Sequence, residues 1–157
     1  MFHILEIDAG WITGEIGDNL TTHFFDYSYL TNFLEDIMKS LLYIHGDDNK
    51  EEYGNEFIAE WEPAVDKWKM SLNDTRLIVN IKNYEDSDTS ELREDKTLEF
   101  DYYEFLGEVS TAMKEILNKY GLTGYKDSWG MEFPVSLYLQ LLNVLDNDKE
   151  NTDWRKL

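Results

Sequence analysis

FHILEIDAGWITGEIGDNLTTHFF, residues 2–25, is the stretch that decides the fold. Phe2 to Asp8 is a short apolar-rich run, and Ala9-Gly10 can close a tight hairpin because Gly tolerates positive φ. Trp11 to Ile16 then alternates, with Ile12 and Ile16 on one side and Trp11, Thr13 and Glu15 on the other. Gly17-Asp18-Asn19 is a second turn cluster, and Leu20 to Phe25 returns as a β-rich run. Three strands joined by such short turns read as an antiparallel meander.

Outward from the meander, Ser28 can cap a helix over 29–45. Leu30, Phe33, Leu34, Ile37, Leu41 and Ile44 recur there at helical spacing, and Gly46 offers a C-cap. Residues 47–55 (DDNKEEYGN) read as a polar loop. Glu56 to Trp61 resumes a strand that Pro63 ends. Trp68, Met70 and Leu72 share one face of the next run, Asn73-Asp74 turns it, and Leu77, Val79 and Ile81 complete a hairpin. Residues 84–96 read as a loop or long hairpin tip, followed by a short strand over Thr97 to Phe100. Asp101 and Glu104 resemble a capping box before a second apolar stripe, Phe105 to Tyr120, which Gly121 stops. Pro134 suits the first turn of a third helix to about Leu145. The expected fold is therefore α+β: a mostly antiparallel sheet of about six strands, with two long amphipathic helices and a shorter C-terminal one on one face. Residues 1–145 are expected as one domain, with 146–157 as a frayed tail.

Composition narrows the function. The chain of 157 residues carries 33 Asp plus Glu against 14 Lys plus Arg, a net charge of −19. With 42% hydrophobic and 15% aromatic residues it can build a core, so it is not an acidic disordered chain. A field of that sign opposes nucleic-acid backbones and anionic membranes and favours encounter with a basic protein. No apolar run is long enough to span a bilayer, and no signal-peptide core opens the chain. The absence of cysteine removes disulfides, zinc–thiolate sites and thiol nucleophiles, and fits a reducing cytoplasm. The charge comes in blocks. Residues 1–38 hold seven acids and no Lys or Arg, 47–62 hold seven acids against Lys50, and 85–104 hold nine against Arg93 and Lys96.

Catalytic motifs do not emerge. His3 and His23 could meet across the first sheet near Asp8 or Asp26, yet no HxH, HExxH or HxxxH spacing joins two histidines. Glu56, Glu60 and Glu62 beside Trp61 form a carboxylate row that could bind sugars or cations, or simply face water. No G-x-S-x-G, S-x-x-K, phosphate-cradling glycine pattern or calcium loop is present. The expectation is a protein that is not an enzyme and takes no cofactor or metal.

Residues 121–133 contain three glycines with Tyr125, Trp129 and Phe133. The two rings would serve either as plugs under a folded-back loop or as exposed binding anchors. The size, acidity and order of elements, with the pieces Trp61-Glu62-Pro63, Tyr120-Gly121, Gly124-Tyr125 and Phe133-Pro134, resemble the small immunity proteins paired with bacterial polymorphic toxins. That resemblance implies a cytoplasmic inhibitor whose partner is a cognate toxin. A nucleic-acid mimic that blocks an enzyme would share the same physics. The expected contact comprises Asp47, Asp48, Glu51, Glu52, Tyr53, Glu56, Glu60, Trp61 and Glu62, then Asp86, Asp88 and Glu91, with Tyr125 and Trp129 as anchors. Two other readings stand beside it: an interaction module whose charge serves solubility, and a carboxylate-based hydrolase.

Overall fold

The computed structural model describes residues 1–46 and 54–155. The opening meander forms as expected: β1 (Phe2–Asp8), β2 (Trp11–Gly17) and β3 (Thr22–Ser28) pair antiparallel in that order, giving sheet A. Its inner face carries the rungs Phe2–Ile16–His23 and Ile7–Ile12–Tyr27, all buried. A helix follows, α1 (Phe33–His45), closed by Gly46 in the left-handed conformation at φ 90°. It starts later than the expected residue 29, because Ser28 is still paired in β3 opposite Trp11 and cannot cap it. Asn32 takes the N-cap position instead.

The second meander consists of β4 (Glu56–Trp61), β5 (Ala64–Asn73), β6 (Arg76–Tyr84) and β7 (Leu92–Asp101). The strands thus form two sheets, of three and four strands, and not the single sheet of about six. Thr31, in the link between β3 and α1, meets the edge of β4: its Oγ1 accepts the Glu60 N–H at 3.0 Å. At the far edge of sheet B, the Glu99 N–H donates to Asp18 Oδ2 at 2.9 Å, so a turn of sheet A also ties down β7. β7 is longer than the expected Thr97–Phe100, since it pairs with β6 from Tyr84–Leu92 onward. Its exposed charges conceal that alternation in the sequence.

α2 (Tyr102–Trp129) begins where Asp101 accepts the Glu104 N–H at 3.0 Å, the expected cap. Gly121, at φ 67° and ψ 178°, is not helical and interrupts α2 at a kink, the expected stop, and a second helical segment resumes directly after it. Residues expected as a loop therefore lie in the last turns of α2. α3 (Val135–Arg155) follows and runs beyond the expected Leu145. The helices do not share one sheet face: α1 packs on β4 and β5, α2 on β1, and α3 on α1 and α2.

The core face of sheet B changes character along its rungs. Leu72–Leu77–Phe100 and Met70–Val79–Leu98 are apolar, Phe57–Trp68–Ile81–Lys96 is mixed, and Ala59–Asp66–Asn83–Glu94 is polar. The apolar rungs pack with Phe25, Tyr27 and Phe33 into one cluster, while the polar rung closes that core at one end.

Candidate functional site

The register of sheet A gathers four acids of the lysine-free N-terminal block, Glu6, Asp8, Glu15 and Asp26, onto one surface. Opposite the buried rungs lie His3–Glu15–Phe24, Glu6–Thr13–Asp26 and Asp8–Trp11. Their one basic side chain, His3, lies 3.3 Å from Glu15. Beside this surface, β1 and α2 form the walls of a groove built from three adjoining clefts. The middle cleft, of about 500 Å³, runs between Phe2–His3 and the α2 residues Glu104, Glu108 and Glu115. One neighbour, of about 110 Å³, shares Glu115 and extends past Leu5 and Glu6 to Lys119 and Tyr120. The other, of about 320 Å³, shares Glu104 and Glu108 and adds Asp18, Glu99 and Asp101. Glu6 brings the carboxylates along the groove to seven, against Lys119, His3 and the Met1 amino group.

Local structure places these acids. Burial works against the Asp18 charge, but the N–H groups of Glu99, Leu20 and Thr21 outweigh it and hold the carboxyl below its ordinary value. Glu108 lies 3.0 Å from the Met1 amino group, and Glu99 pairs with Arg76. Among the described residues no ion pair reaches Asp18, Asp101, Glu104 or Glu115. Glu104, Glu108 and Glu115 are spaced to share one helix face, next to that of the buried Phe105, Val109 and Ile116.

The expected contact residues are distributed differently. Asp47, Asp48, Glu51, Glu52 and Tyr53 lie outside the described residues. Glu56 stands 3.6 Å from both Lys67 and Lys69, and Glu56 and Glu60 alternate with Phe57, Ala59 and Trp61, which turn toward the core. Glu62 is exposed in the turn to β5. Asp86, Asp88 and Glu91 gather at the β6–β7 tip, at the end of β7 opposite Asp101, roughly 30 Å away for ten extended residues. There a hydrogen bond with Asp88 raises Asp86 and lowers Asp88, and a hydrogen bond with Glu85 raises Glu91. So the tip and the groove are separate acidic regions. Tyr125 and Trp129 are plugs and not anchors, at 0% and 1% exposure. Four residues apart, they project from one face of the bent α2. Trp129 Nε1 donates to Asn32 Oδ1 at 3.2 Å, Tyr125 meets Phe133 edge-on, and burial pushes the Tyr125 hydroxyl up.

One cluster escaped sequence reasoning. Asp66, wholly buried, accepts His23 Nε2–H at 2.7 Å, Asn83 Nδ2–H at 2.7 Å and the Tyr27 hydroxyl. Trp68 Nε1 donates to the Tyr27 oxygen at 2.9 Å. Burial, then the Asp66 charge, raises Tyr27 well above its ordinary value, so the phenol keeps its proton. His23 Nδ1 meets Lys96 Nζ at 3.4 Å. An ammonium can only donate, so that contact places the ring proton on Nε2, where Asp66 takes it. A cleft of about 450 Å³ opens beside the cluster, walled by Trp61, Pro63 and Phe24 with Arg93 and Lys96. His3 and His23 do not meet, because β2 lies between β1 and β3. The signal was present: Asp66 has the parity of Trp68, Met70 and Leu72, and Asn83 that of Leu77, Val79 and Ile81.

No family model, curated protein or solved structure matches the chain. Chemically, the two regions differ. The groove offers concentrated anionic surface. The cluster offers a histidine held in one tautomer, with a lysine, and no hydroxyl or thiol, against its outer nitrogen. Among the described residues no three His, Asp or Glu side chains are grouped to hold a metal ion, and no helix is long and apolar enough to cross a membrane.

Proposed function

We propose that this protein is an acidic binding protein that neutralises a basic partner enzyme or toxin by covering its cationic surface. The observation that carries this reading is the groove between β1 and α2, whose three adjoining clefts are lined by seven carboxylates against Lys119, His3 and an amino group. Surfaces of that kind speed encounter with a cationic partner and select against anionic ones. Leu20, 94% exposed two residues beyond Asp18, supplies apolar contact at the groove's end. The resemblance to immunity proteins and the absence of cysteine agree with a cytoplasmic inhibitor of a cognate toxin.

The test is capture of partners on the immobilised protein at low and high salt, followed by identification and binding measurement. A basic enzyme whose activity falls on binding, and whose affinity drops with salt, supports the reading. Replacing Glu104, Glu108 and Glu115 together by Gln should weaken that complex by tenfold or more, as expected for close charge pairs worth about 1.5 kcal/mol or more in total. A captured partner indifferent to both salt and the triple variant would overturn it.

A further inference from the structure

Resting on that reading, we propose that the occupant of the groove is an extended, Lys/Arg-rich segment of the partner that pairs with β1 as an added strand. β1 is an edge of sheet A. Met1 and Gly17 exchange both backbone hydrogen bonds, at 2.8 and 2.9 Å, which marks them as a bonded pair. Bonded and non-bonded pairs alternate along an antiparallel ladder. Phe2 opposite Ile16 and Ile4 opposite Gly14 therefore turn their N–H and C=O groups away from β2. Past the irregularity between Ile4 and Glu6, Ile7 points the same way, since its N–H donates to the Tyr120 hydroxyl at 2.9 Å. Consecutive residues, Phe2–His3 and Ile4–Leu5–Glu6, line the clefts, so the groove opens on the strand's edge and not on one of its faces.

An edge with outward amides and carbonyls is a template for another strand. Charge decides which strand. A second copy would bring the same carboxylates against this wall, whereas a basic segment neutralises them. Spacing agrees: Glu104 and Glu108 are one helical turn apart, about 6 Å along α2, and alternate residues of a strand are about 6.6 Å apart. A segment with Lys or Arg at every second position would meet both while its backbone bonds to Phe2 and Ile4.

Amide exchange of the full chain, followed by NMR, tests this with two probes. One is an extended peptide of alternating Arg and Thr, and the other a helix-forming Lys/Ala peptide of equal charge. The extended peptide is expected to bind more tightly and to protect the Phe2 and Ile4 amides about tenfold or more at saturation. Ile4→Pro removes an outward donor, together with a side chain that packs against the core, and should weaken the extended peptide about tenfold while leaving the helical one little changed. Should that variant not fold, exchange in the unaltered chain decides alone. Equal binding of the two peptides, exchange-exposed Phe2 and Ile4 amides at saturation, or no binding of the extended peptide overturns the strand pairing. If Glu104→Gln with Glu108→Gln weakens both peptides while those amides stay exposed, the anionic docking reading survives and only the added strand is lost.

Discussion

Asp66 and the carboxylates of the β1–α2 groove are the same chemistry put to opposite ends. Asp66 is wholly buried and meets three donors, so its charge is spent inside the molecule, tying sheet B to sheet A through His23 and Tyr27 and to its own strand neighbour through Asn83. Glu104 and Glu115 stand exposed with no cation of this chain among the described residues against them. A buried charge is tolerable only when saturated, whereas an exposed one costs little and stays available to a partner. The lesson is that donor count, and not the density of acids, separates structural carboxylates from those left open to solvent.

The sharpest way to break this contrast is Asp66→Ala, which strands three buried donors. It should destabilise the fold by about 3–5 kcal/mol, read from urea or guanidinium midpoints. A loss below 1 kcal/mol would show that the cluster does not hold the sheets together. Tyr27→Phe should cost less, about 1–3 kcal/mol, because it leaves only Trp68 Nε1 and one Asp66 lone pair without a partner.

Asp36 on α1 tests the middle ground, a carboxyl partly buried without saturation. Burial, offset by Lys39 and reinforced by Glu35, raises it to about 6 from 3.8. A carboxyl raised on folding binds its proton more tightly in the native state. Its ionisation therefore costs stability that is fully felt above about pH 6, fades as pH falls through that value, and is absent below 3.8. Asp36→Asn should gain about 1 kcal/mol at pH 7, after allowance for solvent screening, and nothing near pH 4. Denaturation across that range checks it. The smallest effect on stability is expected for Glu104, Glu108 and Glu115 changed together to Gln: within about 0.5 kcal/mol, with a weaker salt dependence of the melting temperature. A large loss there would make the groove acids structural and erase the comparison.

Much of the fold was legible. The turns at Ala9-Gly10, Gly17-Asp18-Asn19 and Asn73-Asp74, the alternation of β2, β5 and β6, and the apolar stripe of α1 all reflect local chemistry that a single strand or helix expresses alone. β7 was partly hidden because Glu94, Asp95 and Glu99 on an edge strand look like a solvated loop. The helical turns beyond Gly121 were hidden because the glycine does interrupt the helix, and the segment that resumes after it is marked by the burial of Tyr125 and Trp129 and not by a long apolar stripe. Of the β1–α2 groove, the lysine-free N-terminal block was visible, but α2's acids were overlooked in favour of denser runs at 47–62 and 85–95.

From the order of its residues alone, this protein settled its strands, its first helix, its charge and the parity that put Asp66 among core residues. Those follow from interactions between near neighbours in the chain. Only the tertiary structure split the strands into two sheets, brought Asp66 against His23 and set β1 beside α2. These outcomes join segments 43 and about 100 residues apart, where the pairing is chosen by packing and hydrogen-bond saturation and leaves no periodic mark in the sequence.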